Sequence, residues 1–246
     1  MSTLLAFELA TEACSVALLH DGLLLARHEV APRRHAELAL PWAEALLAEA
    51  GVAKSQLDAL AVGVGPGAFT GVRLAISLVQ GIALGLGRPV APVSTLAALA
   101  QPFLAEGPVL AAIDARMGEL YVGEFCADAE GMPQPLAEEA LLPVGEAAAA
   151  LLARWPVTDL GRIGVGTGFA AGGAVWCAAL ADRLVRVDAE ALPTAAAVAR
   201  IAAAAFARGH AVAPERLEPT YLRDKVALTS AEQAAARAAK AGAGAA

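Results

Sequence analysis

Residues 63–73 read Gly-Val-Gly-Pro-Gly-Ala-Phe-Thr-Gly-Val-Arg, and this glycine turn determines how the chain on either side of it is interpreted. The apolar segment 57–62 before it is typical of a buried strand, and the apolar run 74–86 after it is long enough for a helix. Thr70 belongs to the residue types that cap helices by accepting a bond from a free N–H group. The stretch therefore predicts a strand, a tight turn and a helix start.

Two interpretations of the glycine turn follow from its composition. Free N–H groups at a helix start attract anions, so Gly65, Gly67 and Thr70 are candidates for a phosphate site. The turn lacks the Gly-Lys-Ser/Thr ending of a P-loop and the spacing of the dinucleotide fingerprint. Glycines that serve only the path and the close packing of the backbone are the alternative, and the sequence leaves both open.

Composition limits the class of protein. A chain of 246 residues suits one large domain or two small ones, and 58% hydrophobic with 4% aromatic residues predicts a core of Ala, Leu and Val. The three cysteines, Cys14, Cys126 and Cys177, are far apart, which fits a reducing compartment better than a metal site. We expect a cytoplasmic protein without a membrane span or a secretion signal.

The charge of the chain bears on nucleic-acid binding. The formal net charge is −7, and no stripe of Lys and Arg stands out. Because phosphate contacts from clustered cations supply most non-specific affinity for nucleic acids, we expect this chain not to hold a nucleic acid alone.

The order of elements predicts a duplicated unit. The first half reads as three strands, with a hairpin at Asp21-Gly22, and then as helix, strand, helix and strand, which favours a mixed sheet with helices on its faces. From residue 109 the pattern restarts: both segments 4–11 and 109–116 are apolar strands that end near an acid, Glu8 and Asp114. The predicted divisions are 1–104, 105–228 and an Ala-rich, flexible tail at 229–246.

Three strings carry a family resemblance. GPGAFTGVR at 65–73, ATEACSVAL at 10–18 and AIDARMGELY at 112–121 make the chain, from about residue 4 to 228, similar to the TsaB (YeaZ) family. The resemblance implies an α/β fold of the actin-like ATPase (ASKHA, ribonuclease H-like) type, with two duplicated lobes that each hold a mixed sheet flanked by helices.

The same resemblance implies a function and partners. It points to a non-catalytic dimerisation and scaffold subunit that supports a TsaD-type enzyme in making tRNA threonylcarbamoyladenosine (t6A) at position 37. A TsaE-type ATPase would join the complex, tRNA would be met only through the complex, and the isolated chain would form a homodimer. The alternative is an independent enzyme, either an ATP-using actin-like protein or an M22-type glycopeptidase.

In the actin-like fold, acids at strand–turn junctions hold Mg²⁺ beside nucleotide phosphates. The residues that would bind nucleotide or phosphate on this basis are Glu8, Thr11, Gly65, Gly67, Thr70 and Asp114. Leu9 and Met117 depart from that pattern, and the alternative is a pair of carboxylates bonded to turn N–H groups, with Arg116 as an ion-pair partner. We expect no intrinsic cofactor, with ATP or ADP and Mg²⁺ binding only in the complex.

The related catalytic partner carries a His-x-x-x-His pair for a metal, and Thr95 and Leu99 stand at the matching positions here. Neither side chain replaces imidazole as a strong ligand. We therefore expect no catalytic residue and no metal site, which argues against the independent-enzyme alternative.

Two helices are predicted to form the surface for partners. Ser77, Gly81 and Gly85 recur at every fourth position, and such a stripe lets another helix approach closely. The full set of interface candidates is Leu38, Trp42, Leu74, Ser77, Leu78, Gly81 and Gly85. Burial of these helices inside their own domain is the alternative. In the family's pattern, one surface serves both the homodimer and the complex with the catalytic subunit.

The tail gives a first testable prediction. Residues after about Leu228 have no periodic apolar face wide enough to join a core, so deleting 230–246 should leave the melting temperature nearly unchanged. Differential scanning calorimetry on both forms checks this. A loss of several degrees, the scale of about 1–2 kcal/mol for such a domain, would show that the tail packs.

Overall fold

The structure is a computed structural model that describes residues 2–155 and 161–223. The predicted tail at 229–246 lies outside the described residues.

The first half forms a five-stranded mixed sheet. Its strands are β1 (Leu4–Glu8), β2 (Ala13–His20), β3 (Leu23–Val30), β4 (Ala59–Gly63) and β5 (Val90–Val93), in the order β3-β2-β1-β4-β5. The helices of this half are α1 (His35–Glu49), α2 (Phe69–Leu86) and α3 (Thr95–Ala100). Strands β1, β2 and β3 pair antiparallel, whereas β1, β4 and β5 pair parallel.

The second half builds a sheet of the same plan. Its strands are β6 (Val109–Arg116), β7 (Glu119–Ala127), β8 (Pro133–Pro135), β9 (Ala140–Pro143), β10 (Arg162–Val165) and β11 (Leu184–Asp188), with α4 (Val144–Leu152), α5 (Gly168–Leu180) and α6 (Ala195–Ala207). The order is β11-β10-β6-β7-β8, and β9 also pairs with β7. Single 3₁₀ turns lie at 54–56, 101–106, 181–183 and 214–216.

The duplication predicted from the sequence is therefore confirmed at the level of topology. Each sheet has an antiparallel hairpin, β1–β2 or β6–β7. The first strand of the hairpin also pairs in parallel with β4 or β10, and that strand pairs in parallel with β5 or β11. The two-lobed α/β fold with helices on mixed sheets is what the resemblance implied.

The two halves exchange helices. Helices α1 and α2 cover one face of the first sheet, but the other face is covered by α6, which comes from the end of the described chain. Most residues of this contact are alanines, among them Ala6, Ala61 and Ala199, whose small side chains allow α6 to approach the strands. Helix α3, from the first half, packs instead with β6 and β7 of the second. The predicted domain boundary at residue 104 stays a prediction. Helix α3, before this boundary, packs on the second sheet, and α6, after it, packs on the first sheet.

Of two predicted helix caps, one is confirmed and one was wrong. Ser94 also belongs to the residue types that cap helices, and it caps α3, since its Oγ accepts a bond from Ala97 N at 3.2 Å. Thr70 does not cap α2, because that helix begins at Phe69 and its cap residue is Ala68, whose side chain has no hydrogen-bonding group. Strands β8, β9 and β11 were not predicted because they are short or lie at exposed sheet edges.

Helix α2 is long and apolar enough to cross a membrane when judged by length and composition alone. A helix in the core of a soluble protein satisfies the same criterion, and Val72, Ala75 and Val79 on one side of α2 lie in the core of the first sheet. Its length and apolar character are thus in part accounted for by packing.

Candidate functional site

The glycine turn lies against the turn that connects β1 and β2. A Cβ atom on Gly71 would lie 2.1 Å from the carbonyl oxygen of Leu9, and one on Gly67 would lie 2.5 Å from that of Ala10. Ala68 N also donates a hydrogen bond to Ala10 O at 2.7 Å. Backbone therefore packs on backbone here, and no residue with a side chain fits at 67 or 71. The packing interpretation of the glycines is supported by these contacts.

Glu8, at the end of β1, is buried beside this junction. Its side chain accepts hydrogen bonds from Ala10 N at 2.8 Å and from Thr95 Oγ1 at 3.2 Å. Burial raises its pKa to about 7, although the bonds from Ala10, Thr95 and Leu9 act in the opposite direction. Because Glu8 is 1% exposed and does not line the cleft described below, it acts in the structure as a buried bridge.

Thr95 completes this bridge. Its Oγ1 accepts a bond from Gly65 N at 3.2 Å while it donates to Glu8, and Thr95 N donates to Gly65 O at 2.9 Å. Thr95 and Leu99 are both buried, and Leu99 belongs to the core between α3 and the second sheet. The two positions that matched the partner's histidines are thus occupied by a hydrogen-bond bridge and a core side chain.

Asp114, the second acid, is held by Arg116. Arg116 N donates to Asp114 Oδ1 at 2.7 Å, and the guanidinium forms an ion pair with Oδ2 at 2.8 Å. Asp114 N in turn donates to Thr167 Oγ1 at 3.2 Å, which ties the turn to the start of α5. The predicted alternative, acids bonded to turn N–H groups with Arg116 as a partner, describes these contacts.

A cleft of about 890 Å³ opens between the two halves. It is bordered by the β1–β2 turn, the starts of α1 and α2, the β6–β7 hairpin and residues 220–223. Of the six candidate nucleotide residues, Thr11, Gly67, Thr70 and Asp114 line this cleft, whereas Glu8 and Gly65 do not. The structure therefore brings four of them to one cavity and leaves nucleotide binding there a prediction.

His35 fixes the start of α1 at the edge of the cleft. It is 9% exposed, and its Nε2 lies 3.0 Å from Thr11 O and 3.2 Å from Ala13 O. Carbonyl oxygens only accept, so this nitrogen carries the proton. These contacts link α1 to the same β1–β2 turn that the glycine turn contacts.

A stack of aromatic rings and an arginine stands at the mouth of the cleft. The Arg73 guanidinium lies 3.7 Å from the centre of the Phe69 ring, and its Nε donates to the Tyr221 hydroxyl at 2.7 Å. Phe69 and Tyr221 are 47% and 48% exposed, and both line the cleft. Sequence reasoning missed this cluster because Arg73 and Tyr221 are 148 residues apart.

Three of the seven predicted interface residues are exposed and four are half-buried. Ser77, Gly81 and Gly85 are exposed, and a Cβ atom on Gly81 or Gly85 would meet no atom within 4 Å. Leu38, Trp42, Leu74 and Leu78 are half-buried and pack on the core of the first sheet. We call this set of seven residues the outer face. The glycine stripe is therefore not buried in its own domain, and the use of the outer face as an interface stays a prediction.

A metal centre was neither predicted nor found in the residues that the structure covers. Within 2–155 and 161–223, no group of three or more His, Cys, Asp or Glu side chains could hold a metal ion. The prediction that the chain carries no catalytic metal stays a prediction about its chemistry.

Comparisons with known proteins place the chain in a family. Residues 28–231 match the family model described as TsaD, tRNA N6-adenosine threonylcarbamoyltransferase. The chain is 42% identical over 232 residues to the tRNA threonylcarbamoyladenosine biosynthesis protein TsaB of Escherichia coli (strain K12), with 91% of this chain and 96% of the relative covered.

Two solved structures are similar in both sequence and fold. One is YeaZ from Pseudomonas aeruginosa, with a TM-score of 0.79, 45% identity and coverage of 90% of this chain and 100% of that one. The other is a protein of that organism described as uncharacterized with similarity to peptidase YeaZ, with a TM-score of 0.82, 46% identity and coverage of 91% and 100%.

The buried carboxyl of Glu8 gives a prediction about pH. Its pKa of about 7 in the folded protein exceeds the ordinary value of 4.5, so the unfolded chain releases this proton first as pH rises. The contribution of Glu8 to stability is therefore full below pH 4.5 and is lost as pH rises through 7, by about 3 kcal/mol. Glu8→Gln should remove most of this loss in urea unfolding curves at pH 5 and pH 8.

The matched control is Glu138→Gln, which neutralises an exposed carboxylate of the second half. It should leave the pH dependence of the unfolding free energy as in the wild type. If Glu8→Gln shows the wild-type dependence as well, Glu8 does not hold a proton in the folded state at neutral pH.

Proposed function

Because the chain belongs to the TsaB (YeaZ) family of tRNA threonylcarbamoyladenosine biosynthesis proteins, we propose that it is a non-catalytic subunit that binds and supports a TsaD-type threonylcarbamoyltransferase. The relatives' names support a role in t6A formation and give no support to the independent-enzyme alternative. We further propose that the chain has no activity of its own and that it meets the partner through the outer face.

The absence of activity is supported by the contacts that Thr95, Leu99 and Asp114 make within the protein. Thr95 bridges Glu8 and Gly65, Leu99 fills the core, and the carboxylate of Asp114 is occupied by Arg116. A group already committed to such contacts is a poor metal ligand or general base, because using it would break a buried bond or an ion pair. This is the observation that carries the non-catalytic assignment.

The outer face supports the scaffold role. Glycine and serine along the outside of α2 leave the backbone of the helix accessible, and Leu74 and Leu78 lie half-buried on the same helix. Apolar surface left exposed on a helix that is already anchored to a sheet is typical of a protein–protein contact. We assign this face to the homodimer of the isolated chain and to the complex with the TsaD-type subunit, so the two assemblies compete.

The remaining partners follow from the family. A TsaE-type ATPase joins the complex, tRNA is met through the catalytic subunit, and the complex works in the cytoplasm. Nucleotide with Mg²⁺ binds only in the assembled complex. The net charge of −7 agrees with an indirect contact to tRNA.

The proposal predicts an inactive isolated protein. Purified protein should neither hydrolyse ATP nor transfer a threonylcarbamoyl group alone, because residues 2–155 and 161–223 offer no cluster of metal ligands, and Glu8 and Asp114 are already bonded within the protein. Phosphate release and tRNA modification, each measured with and without the TsaD-type subunit, check this. Metal-dependent turnover by the isolated chain, abolished by Glu8→Ala or Asp114→Ala, would overturn the non-catalytic assignment.

If the outer face is the interface, a substitution there should weaken association without lowering the stability of the folded chain. Gly81→Leu adds a side chain that meets nothing in the isolated protein, and leucine is the better helix former by about 0.5–1 kcal/mol, so the variant should fold normally. A close helix crossing has no room for it. We expect a monomer in sedimentation experiments and at least a tenfold weaker complex with the catalytic subunit.

The control is Gly145→Leu, at an exposed helical glycine of α4 where an added Cβ likewise meets nothing within 4 Å. This variant should dimerise and bind the partner as the wild type does. A folded Gly81→Leu protein that still forms both assemblies would place the interface elsewhere.

A further inference from the structure

Two arginines at the cleft have no acidic partner among the residues that the structure describes. Arg73 at the mouth is fixed by the Phe69 ring and the Tyr221 hydroxyl, and no described carboxylate lies within ion-pair distance of it. Arg33 lines the cleft just before the start of α1, and it likewise has no described carboxylate within ion-pair distance. Two cations of a protein with net charge −7 are thus placed unneutralised around one cavity.

The backbone of this border is also strained. Among the described residues, the non-glycine residues with positive φ are Asp21, Arg33, Arg116 and Met117. Asp21 lies in the β2–β3 hairpin turn, but Arg33 and Arg116 line the cleft and Met117 follows directly. Such conformations cost free energy and persist where the surrounding structure holds them, which is common at binding sites. Arg33 and Arg116 both line the cavity in this conformation, and of the two only Arg33 has no acidic partner among the described residues.

The other charged groups around the cleft limit the chemical class of ligand that it can bind. Arg116 is neutralised by Asp114 and Arg223 by Glu119, so neither pair adds net charge, while Glu12 contributes one negative charge to the lining. Glu8 is buried outside the cleft, and Asp114 is already paired, so a metal-bound polyphosphate finds no free pair of acids here. Separate carboxylates, each meeting one arginine, fit this arrangement without a metal.

The cleft continues into the outer face. Leu74 belongs to both, because it lines the cleft and is one of the seven residues of the outer face. A protein that covers the outer face therefore reaches the mouth of the cleft, where the exposed Phe69 and Tyr221 rings offer apolar contacts beside Arg73. The volume of about 890 Å³ accommodates several amino-acid residues.

We propose that the cleft receives an acidic segment of the catalytic partner, in which carboxylates meet Arg33 and Arg73 and an apolar or aromatic side chain between them lies on Phe69 and Tyr221. This inference rests on the proposed function, since it needs the partner to bind the outer face. It assigns the cleft a second role in complex formation, one that depends on charge, whereas the outer face depends on close helix packing.

The test measures the affinity of the full chain for the purified TsaD-type subunit at low and high salt. The double variant Arg33→Gln/Arg73→Gln should bind at least tenfold more weakly at low salt, and its affinity should depend less on salt, because exposed charge pairs are screened. Glu12→Gln removes the opposing charge and should tighten binding about two- to threefold. Circular dichroism verifies that each variant is folded.

Arg200→Gln is the matched control, since Arg200 is exposed on α6, lies outside the cleft lining and forms no ion pair among the described residues. It should change neither affinity nor salt dependence. An array of overlapping peptides from the partner should show wild-type binding to acidic segments only, with loss of those signals in the double variant.

The outcomes separate this inference from the function on which it rests. If the double variant binds the partner with wild-type affinity and salt dependence, the cleft proposal is wrong while the scaffold function stands. If the acidic peptides do not bind, or if Mg-ATP displaces them in competition, the cleft does not serve an acidic segment. If the wild type forms no complex and Gly81→Leu behaves like it, the proposed function itself fails.

Discussion

The structure depends on one contact in which two turns meet backbone to backbone. Gly67 and Gly71 pack on the carbonyls of Leu9 and Ala10, and nothing larger than hydrogen fits between them. This contact sets the position at which α2 starts, while His35 sets the start of α1 by bonding to carbonyls of the same β1–β2 turn. The direction of the outer face and the shape of the cleft both follow from these few atoms.

A similar close contact between a turn and a strand occurs in the second half. After β10, a Cβ atom on Gly168 would lie 2.7 Å from the Ala112 side chain and 2.8 Å from its carbonyl carbon, so this turn also packs directly on the first strand of its sheet. What differs is the acid beside each turn. Glu8 is buried and bridged by Thr95, whereas Asp114 reaches the cleft and is paired with Arg116. Duplication has preserved the packing and let the chemistry of the two acids diverge.

The sequence predicted what depends on local pattern. The glycine turn, the strand–acid–turn echo, the Ser94 cap and the exposed glycine stripe are each encoded within a few consecutive residues or one helical period. The prediction for Thr70 was wrong because its side chain suits a cap, yet the backbone contact of Gly67 and Gly71 places the cap at Ala68, two residues earlier. Tertiary packing decided the boundary against side-chain preference.

Long-range pairs escaped prediction for a physical reason. The Arg73–Tyr221 bond joins residues 148 positions apart, and the Ser15 hydroxyl accepts a bond from Ala195 N across 180 positions. The sequence around one residue of such a pair does not indicate which distant residue it will contact, since arginine, tyrosine and serine are common on surfaces and in turns. The role of Thr95 was hidden in the same way, because its position was considered for a metal ligand and not for a bond to Glu8.

The exchange of helices bears on how the protein is made. During synthesis the first sheet is complete once β5 has left the ribosome, but the face that α6 covers stays open until residues 195–207 emerge about a hundred residues later. That face is built of small apolar side chains such as Ala6, Ala17 and Ala61, which α6 later covers so closely. The nascent chain therefore carries an exposed apolar sheet face through nearly half of its translation. This face is covered only when α6 docks and Ala195 N, at the start of that helix, donates its hydrogen bond to Ser15 Oγ.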